Sequence, residues 1–308
     1  TITNSTISNN LTRAISFFSA FESGNDSLSL TNVTIGGNSG SAIEIVANAG
    51  TMDFEYQNTI FTNNGNKNID ARGNEVLEGL SIVSLGNNLL DDTPEADADH
   101  PVASGDRRDT DPRVAPLGDY GGPTPTSPPL PGSPAIEGGG EVAGIERDQR
   151  GSSRIAGAFP DIGSVEAFPF STLTLVDTAD GDGIDDRVEV GLYGDTATAG
   201  AATDSDGDGS SDADEIANMT DPFDAGDFFR ILSIVPATEF VASTNPRFEI
   251  TIKSFPGLDY ELELSSSLDF SHGANAPRVI EVVESGSFVE TVEVEFEPGR
   301  DFLRANRK

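Results

Sequence analysis

The sequence predicts a mainly β protein made of a right-handed parallel β-helix end with an irregular cap, an acidic module with short helices, and a C-terminal antiparallel β-sandwich. Three observations support this prediction. An Asn-bearing segment recurs near the N-terminus, an acid-rich segment recurs in the middle of the chain, and the last eighty residues or so alternate apolar and polar side chains. We place the four parts at residues 1–90, 91–176, 177–227 and 228–308.

The N-terminal repeats are segments rich in Asn, Thr, Ser and β-branched residues. Residues 4–10, 32–38 and 58–64 match one another at spacings of 28 and 26, and a weaker copy follows at residues 85–88. Short alternating strands at a fixed period indicate stacked coils of a parallel β-helix. We expect the first Asn of each copy to stack on the next about 4.8 Å away and to form a hydrogen-bonded ladder. A sandwich of short antiparallel strands is the alternative.

The cap is predicted from proline content. Residues 112–134 hold 8 of the 18 prolines, and proline cannot donate a hydrogen bond to a strand ladder. A β-helix leaves its last coil as an open edge that must be covered to prevent pairing with another chain. We therefore expect an extended, proline-rich segment to cover that edge.

The region from residue 85 to 166 resembles the closing segment of bacterial surface β-helix proteins of the choice-of-anchor Q type. The motifs that carry the resemblance are Leu85-Gly-Asn-Asn-Leu89, Asp119-Tyr-Gly-Gly-Pro-Thr-Pro-Thr126, Leu130-Pro-Gly-Ser-Pro-Ala-Ile136, Asp148-Gln-Arg-Gly151 and Pro160-Asp-Ile-Gly-Ser-Val-Glu166. Glu137-Gly138 stands where that family has Asp-Ala-Gly. The charged residues of this region could be misread as a catalytic cluster, but the Gly and Pro around them favour ion pairs that hold the cap. They are Asp148, Arg150, Arg154 and Asp161.

Residues 177–227 contain 16 acidic residues and one basic residue. An acidic linker is the simplest interpretation, because unneutralised carboxylates repel one another and keep a segment unfolded. The spacing favours a metal site instead. Residues 204–215 fit the calcium-loop pattern D-x-D-x-D-G-x5-E at every position, and residues 178–189 match them with an offset of 26. Thr178 occupies the first position of the earlier copy, although Asp177 precedes it and could substitute.

Calcium requires six to eight oxygen ligands, which alternate carboxylates, a backbone carbonyl at position seven and a bidentate Glu at position twelve can supply. We expect two or more calcium ions. The candidate ligands are Asp180, Asp182, Ile184 (carbonyl), Asp186, Glu189, Asp195, Asp204, Asp206, Asp208, Ser210 (carbonyl), Asp212, Glu215 and Asp221.

This segment resembles the thrombospondin type 3 repeats and dockerin-like loops of extracellular bacterial proteins, on the strength of both loops and of Asp214-Glu-Ile-Ala-Asn-Met-Thr-Asp-Pro222. The resemblance implies structural calcium. Each loop is followed by a short helical pattern with an apolar pair at i and i+3, Val190 with Tyr193 and Ile216 with Met219. If these pairs bury against each other, the two loops fold as one unit.

The C-terminal part is predicted to be a small antiparallel sandwich. Its strands are predicted at residues 248–252, 260–264, 279–283, 288–296 and 302–303. Pro256-Gly-Leu-Asp-Tyr-Glu-Leu-Glu-Leu-Ser265 with the later Phe302-Leu-Arg304 resembles a C-terminal module of exported planctomycete and verrucomicrobial proteins, which implies sorting or docking.

The composition excludes several functions. The net charge is −34, so a surface held to nucleic acid by phosphate contacts is not expected. The chain has no Cys and two His, which removes disulfides and thiolate sites and leaves little for zinc. No apolar run approaches the roughly 18 residues of a membrane-spanning helix.

Two functional hypotheses follow. The first is a non-enzymatic extracellular or bacterial cell-surface protein of structural or adhesive function, rigidified by calcium. Its partners would be glycans or another surface protein, and the sequence does not specify its oligomeric state. We expect it to be the C-terminal part of a longer chain, because it starts at Thr1 without a signal-like stretch. The alternative is a β-helix polysaccharide lyase or glycosidase, for which Glu22 with Asp26 or Asp53 with Glu55 offer carboxylate pairs. A halophilic enzyme fits less well, because the charge is concentrated in the middle segment.

Overall fold

The computed structural model describes residues 1–19, 25–47, 50–65, 67–73, 79–92, 102–237, 245–265, 278–296 and 302–308. The chain forms two compact units. The first unit comprises Thr1–Ala167 with Val176–Thr198, and the second comprises Phe168–Leu175 with Ala199–Lys308. The described residues are mainly in β-strands, as predicted. None of their helices is both long enough and apolar enough to cross a membrane.

Parallel strands dominate the first unit. They are β1 (Ile2–Ser8), β2 (Ile15–Ser19), β3 (Asn25–Gly36), β4 (Ile43–Ala47), β5 (Thr51–Gln57), β6 (Ile60–Thr62), β7 (Ile69–Gly73), β8 (Leu80–Gly86) and β9 (Leu89–Leu90). One curled sheet has the order β8-β5-β3-β6-β9, with β1 also paired to β3, and a second sheet has the order β2-β4-β7. Every pair in both sheets is parallel.

The register of these strands confirms the predicted repeat. Ile2 pairs with Leu30, 28 residues later, and Thr34 pairs with Ile60, 26 residues later. The apolar side of each repeat forms one buried cluster, in which Phe54 and Tyr56 stack with ring centroids 5.2 Å apart.

Asparagines form two ladders along the repeats. In the predicted ladder, the Nδ2 of Asn58 donates to the Oδ1 of Asn32 at 2.9 Å, and both residues have left-handed backbones, with φ of 49° and 54°. Asn4 shares that conformation, but its Nδ2 donates to the carbonyl of Arg147 at 2.7 Å instead. A second ladder, which was not predicted, joins Asn10, Asn38, Asn64 and Asn68 through side-chain amides 2.8–2.9 Å apart.

The proline-rich segment folds back on itself instead of running extended as expected. Val114 bridges Pro129 and Gly118 bridges Thr126, both antiparallel. The N–H of Ala115 donates to the carbonyl of Pro128 at 2.8 Å. Proline cannot donate in such a pairing, but its carbonyl still accepts, so prolines are tolerated where the partner supplies the N–H.

The charged residues of the cap form ion pairs, as predicted. Arg150 lies 2.9 Å from Asp148, and Arg154 lies 2.8 Å from Glu166, with all four side chains at most 7% exposed. Asp161 accepts hydrogen bonds from the backbone N–H groups of Glu137 and Ala167. Glu166 was not predicted as the partner of Arg154.

The remaining elements include two helices, α1 (Asp186–Tyr193) in the first unit and α2 (Asp212–Asn218) in the second, and a short 3₁₀ turn at Phe170–Thr172. Six strands complete the second unit: β10 (Ile231–Pro236), β11 (Arg247–Lys253), β12 (Asp259–Ser265), β13 (Arg278–Glu284), β14 (Val289–Glu295) and β15 (Phe302–Arg307). They form two antiparallel sheets, ordered β10-β11-β14 and β13-β12-β15. The five predicted strands of this region are therefore present.

Candidate metal centre

Each acidic segment forms a tight loop that leads into a helix. We call residues 177–189 the first loop, which leads into α1, and residues 204–215 the second loop, which leads into α2. The helices begin in the same way. The N–H of Asp186 donates to the carbonyl of Val176, and the N–H of Asp212 donates to that of Thr203, both at 2.7 Å. The first loop belongs to the first unit and the second loop to the second, so the prediction that both loops fold as one unit is wrong. One predicted apolar residue, Val190, is also exposed rather than buried.

The second loop turns sharply around its first carboxylate. Asp204 accepts from the N–H groups of Gly207 at 2.8 Å and Gly209 at 3.1 Å. Gly209, at the sixth position, has a φ of 97°, and a Cβ there would meet nothing within 4 Å. Glycine is therefore required at this position by the backbone conformation rather than by a lack of space.

Three further acids of the second loop direct oxygens inward. Asp206 and Asp208 each use Oδ1 to accept a backbone N–H, from Asp208 at 3.1 Å and Ser210 at 2.7 Å. The Oδ2 of both residues and both carboxylate oxygens of Glu215 are buried and accept no hydrogen bond from any described residue. Asp204, Asp206 and Asp208 also offer oxygens that lie within 4.8 Å of one another. The loop therefore holds four buried carboxylate oxygens that have no hydrogen-bond donor among the described residues.

The first loop begins at Asp177 and is one residue longer than the second. Asp177 accepts from the N–H groups of Gly181 and Gly183, both at 2.8 Å, as Asp204 does from the equivalent glycines. These hydrogen bonds favour Asp177, the alternative that the sequence offered for the first position, over Thr178. Asp177 supplies the first carboxylate, and the extra residue is accommodated between it and Asp180.

Thr178 performs a different task, which corresponds to that of Ser205. Its N–H and hydroxyl both donate to Oδ2 of Asp186, at 3.1 and 3.0 Å. Ser205 also donates twice to Asp212, but to both oxygens, from its N–H to Oδ1 at 2.8 Å and from its hydroxyl to Oδ2 at 2.7 Å. In each loop, the hydroxyl residue that directly follows the first Asp thus orients the carboxylate of the first helical residue, Asp186 or Asp212. Asp186 differs in that its Oδ1 remains buried without a donor among the described residues.

The first loop assembles two groups of acids. Asp177, Asp180 and Asp186 form one, and Asp180, Asp182 and Glu189 form the other, each with oxygens within 4.8 Å of one another. Oδ2 of Asp182 and both oxygens of Glu189 are buried and, like Oδ1 of Asp186, accept no hydrogen bond from the part of the chain that is described.

The electrostatics of both loops favour protonation when no cation is present. Burial, followed by the neighbouring Asp182, raises the pKa of Glu189 to about 7. Burial, followed by Asp206 and Asp208, raises the pKa of Glu215 to about 8. Like charges in a poorly hydrated site disfavour the ionised form, and a divalent cation would reverse that preference.

The other predicted ligands differ in position. Ile184 and Ser210 lie on the loops as expected, and their N–H groups donate to Asp182 and Asp208. Asp195 instead accepts from the N–H groups of Ala197 and Thr198 at 2.9 Å, in an exposed turn outside the groups of acids described above.

Asp221 accepts from the N–H of Phe223 at 3.0 Å and belongs to none of these groups either, but its negative charge contributes to the raised pKa of Glu215. The groups of acids therefore contain four predicted ligands in the first loop, Asp180, Asp182, Asp186 and Glu189, and three in the second, Asp204, Asp206 and Asp208.

Two basic residues lie next to the loops, and sequence reasoning assigned a role to neither. Arg187, the single base of the acidic segment, pairs with Asp185 at 2.7 Å and lies 5.0 Å from the ring centroid of Tyr120. Lys253 pairs with Asp227 in the second unit. Both paired acids lie outside the candidate ligand set, but Lys253 is also close to two candidate ligands, because burial lowers its pKa and the charges of Glu215 and Asp221 oppose that shift.

The donor set fits a hard divalent cation. All side chains in the groups of acids offer oxygen only, and the inward turns at glycine allow successive carboxylates to converge, as calcium requires. No family model, curated protein or solved structure matches this chain. The functional interpretation therefore depends on the geometry of the loops.

The carboxylate pairs that were considered for glycan cleavage are less informative. Glu22 lies outside the described residues. Asp53 and Glu55 are neighbours on the outer side of β5, which alternates with the buried Met52, Phe54 and Tyr56. This alternation explains both acids as ordinary strand-face charges.

Proposed function

We propose that this chain is a non-enzymatic extracellular or cell-surface protein, structural or adhesive in function, whose two acidic loops bind calcium. The observation that carries the proposal is the set of eight buried carboxylate oxygens, four in each loop, that accept no hydrogen bond from the described residues. Burying an acceptor without a partner costs free energy, and burying a charged one costs more. A bound cation would remove that cost in both loops at once.

Calcium is favoured over other cations by two features of the loops and by the proposed extracellular location. The candidate donors are oxygens, which excludes a preference for soft metals. Each loop offers several carboxylates, whereas magnesium keeps most of its water and uses one or two. Extracellular modules bind calcium at about 10⁻⁴ to 10⁻³ M, which matches the millimolar calcium outside cells.

In the first unit, calcium would join the first loop firmly to the cap. Asp186 and Glu189 lie in the first turn of α1, and the adjacent Arg187 donates to the carbonyl of Asp119 at 2.9 Å while covering the Tyr120 ring. A cation held by both acids would restrain the helix end that carries Arg187. Rigidity of this kind suits a structural or adhesive surface protein.

The surrounding architecture supports the proposal. Two parallel sheets with a 26–28-residue register and stacked asparagines agree with a right-handed parallel β-helix. Hydrogen bonds that join the segments of Asp148, Asp161 and Glu166 support a cap built from these motifs. The two antiparallel sheets of the second unit support a C-terminal sandwich, and attachment is the role that we propose for it.

The test is calcium titration of the full chain by calorimetry, with thermal melts in calcium and in chelator. We expect two or more ions, and a stabilisation of about 2.7 kcal/mol per site at a free concentration 100 times Kd. Glu189→Gln should remove binding at the first loop and Glu215→Gln at the second, because the amide preserves shape but supplies no charge. Glu55→Gln, on an exposed strand face, is the matched control and should retain all sites.

Two results would contradict the proposal. One is the absence of calcium-dependent heat and stabilisation in the unmodified chain. The other is unchanged binding in both loop variants. Equal stabilisation by calcium and magnesium would retain the metal centre but exclude calcium selectivity.

A further inference from the structure

The first unit contains an open groove of about 330 Å³ between the strand repeats, the proline-rich segment and α1. Its sequence signal is a change in the middle repeat. Gly36 pairs with Ser8 on one side and with Thr62 on the other. At the next position, both outer repeats have asparagine, Asn9 and Asn63, whereas the middle repeat has Gly37.

The two glycines leave the middle repeat without a side chain between the two outer asparagines, and we call this position the notch. A Cβ on Gly37 would come within 2.7 Å of Oδ1 of Asn9, and a Cβ on Gly36 would come within 3.0 Å of a methyl group of Thr62. The glycines therefore allow the neighbouring repeats to pack closely, and a side chain at Gly37 would have to displace the Asn9 carboxamide. Gly37 has a φ of 69°, close to the 58° of Asn9 and the 51° of Asn63, so asparagine fits the same backbone.

The groove carries no charge. None of the residues that line it is acidic or basic, although the chain has 52 acids and a net charge of −34. A larger cavity of about 530 Å³ in the same unit is lined by Glu141, Glu146 and Arg154. The contrast indicates that the groove suits an uncharged ligand, which a surface this acidic would not repel.

Hydrogen-bonding groups form part of the groove lining. Thr62 and Ser127, which are 3% and 6% exposed, each contribute a hydroxyl-bearing side chain to it. The exposed carboxamides of Asn9 and Asn63 flank the notch, and two repeats of about 4.8 Å place their strands about 10 Å apart. These groups can both donate and accept.

Aliphatic side chains also line the groove, from Val114, Pro116 and Leu117 of the proline-rich segment and Val190 of α1. We propose that this groove binds a neutral saccharide of one or two rings, whose hydroxyls bond to the polar lining residues and whose C–H face packs on the aliphatic ones. An extended peptide is less suited, because both edges of β3 at the notch are already paired, with β1 and β6.

Saccharide binding does not require calcium, but the two proposals meet at α1. Val190 and Gly191 line the groove and directly follow Glu189 of the first loop. Calcium that orders α1 would strengthen saccharide binding, whereas saccharide binding in chelator would persist at lower affinity. The failure of either proposal is therefore distinguishable from the failure of the other.

The experiment is calorimetric titration of the full chain with neutral gluco-, xylo- and manno-oligosaccharides, and with oligogalacturonate as the charged comparison. We expect at least one neutral series to bind at least tenfold more tightly than oligogalacturonate. Gly37→Asn should fill the notch and weaken binding at least tenfold. Thr62→Val, which removes one hydroxyl without changing shape, should weaken it severalfold.

Gly144→Asn is the matched control, because Gly144 lines the larger cavity, has a φ of 81° and has open space around its Cβ position. It should bind as the unmodified chain does. The proposal is overturned if no neutral oligosaccharide binds at millimolar concentration, if Gly37→Asn binds normally, or if a polar peptide library binds at the notch and saccharides do not. Saccharide cleavage would leave the groove in place and overturn the non-enzymatic function.

Discussion

The cap and the acidic loops both bury carboxylates, but they treat them differently. In the cap, Asp148 receives Arg150 at 2.9 Å and backbone N–H groups, and Glu166 receives Arg154 at 2.8 Å and the N–H of Asp161. In each of the two loops, four buried carboxylate oxygens accept no hydrogen bond from the described residues. The cap is completed by the protein's own cations, whereas the loops leave room for an external one.

The direction of the pKa shift does not separate these two regions. Burial raises the pKa of Glu166 in the cap, against the opposing charge of Arg154, and burial also raises the pKa of Glu189 in the first loop. What differs is the supply of donors. A metal site in an acidic protein is therefore identified more reliably by buried oxygens without donors than by perturbed titration alone.

The largest expected effect comes from removing a cation from the cap. Arg154→Met leaves Glu166 and the neighbouring Asp161 without their buried partner, which typically costs about 3–5 kcal/mol in the free energy of unfolding. Because the cap supplies its own charges, the loss should be the same in calcium and in chelator. Chemical denaturation of the full chain under both conditions measures it.

Arg13→Met is the control for this comparison. Arg13 pairs with Glu44 at 2.8 Å, but its side chain is 46% exposed, and such pairs contribute about 0–1 kcal/mol. A small effect of Arg154→Met, or one that appears only in chelator, would show that the cap depends on an added cation as the loops do.

The free energy of unfolding should also depend on pH because of a buried carboxyl group in the cap. Burial raises the pKa of Asp161 to about 6, so the folded state holds a proton that the unfolded state has released above pH about 4. The stability from this group is therefore fully present below pH about 4 and is lost as pH rises toward 6, by at most about 3 kcal/mol. Asp161→Asn cannot titrate, so the difference in unfolding free energy between it and the unmodified chain, measured in chelator, isolates the effect.

A difference that stays constant between pH 4 and 6 would contradict this prediction. It would mean that the N–H groups of Glu137 and Ala167 stabilise the ionised carboxylate enough to offset its burial. The loops do not complicate the comparison, because both proteins contain them unchanged.

The sequence predicted those features that depend on periodicity. A constant register shows directly in repeated residues, so the 28- and 26-residue spacing gave the parallel strand pairs. Alternation likewise located β11 and β12, because each buries one side of the strand. The acidic repeats were visible for the same reason.

Features that depend on a distant partner or a local insertion were not predictable. Glu166 was outside the expected ion-pair set because its partner is chosen by the folding of the cap. Asp177 was offered by the sequence only as a substitute for Thr178, because one inserted residue displaces it from the alignment, and its hydrogen bonds to Gly181 and Gly183 decide between the two. The docking of Arg187 over Tyr120 joins segments that are far apart in the chain.

Mutations in the first loop can test whether Asp177, rather than Thr178, supplies its first carboxylate. Asp177→Asn should lower the affinity of that loop for calcium about tenfold, equivalent to about 1.4 kcal/mol, because one carboxylate loses its charge. Thr178→Val is the matched control, since it removes only the hydroxyl bond to Asp186. If Thr178→Val weakened calcium binding more than Asp177→Asn, the constant offset of 26 would be the correct alignment.

The smallest effect on calcium binding is expected at Asp195, and measuring it tests whether this acid belongs to the metal centre. Its carboxylate caps the exposed N–H groups of Ala197 and Thr198, which holds its pKa below the usual range without any cation. Asp195→Asn keeps one acceptor for that turn, so calorimetry should give the same number of calcium ions and the same affinities as in the unmodified chain. Loss of one ion would show that calcium draws Asp195 away from the turn and into the first loop. The distinction between acids with donors and acids without them would then describe only the metal-free chain.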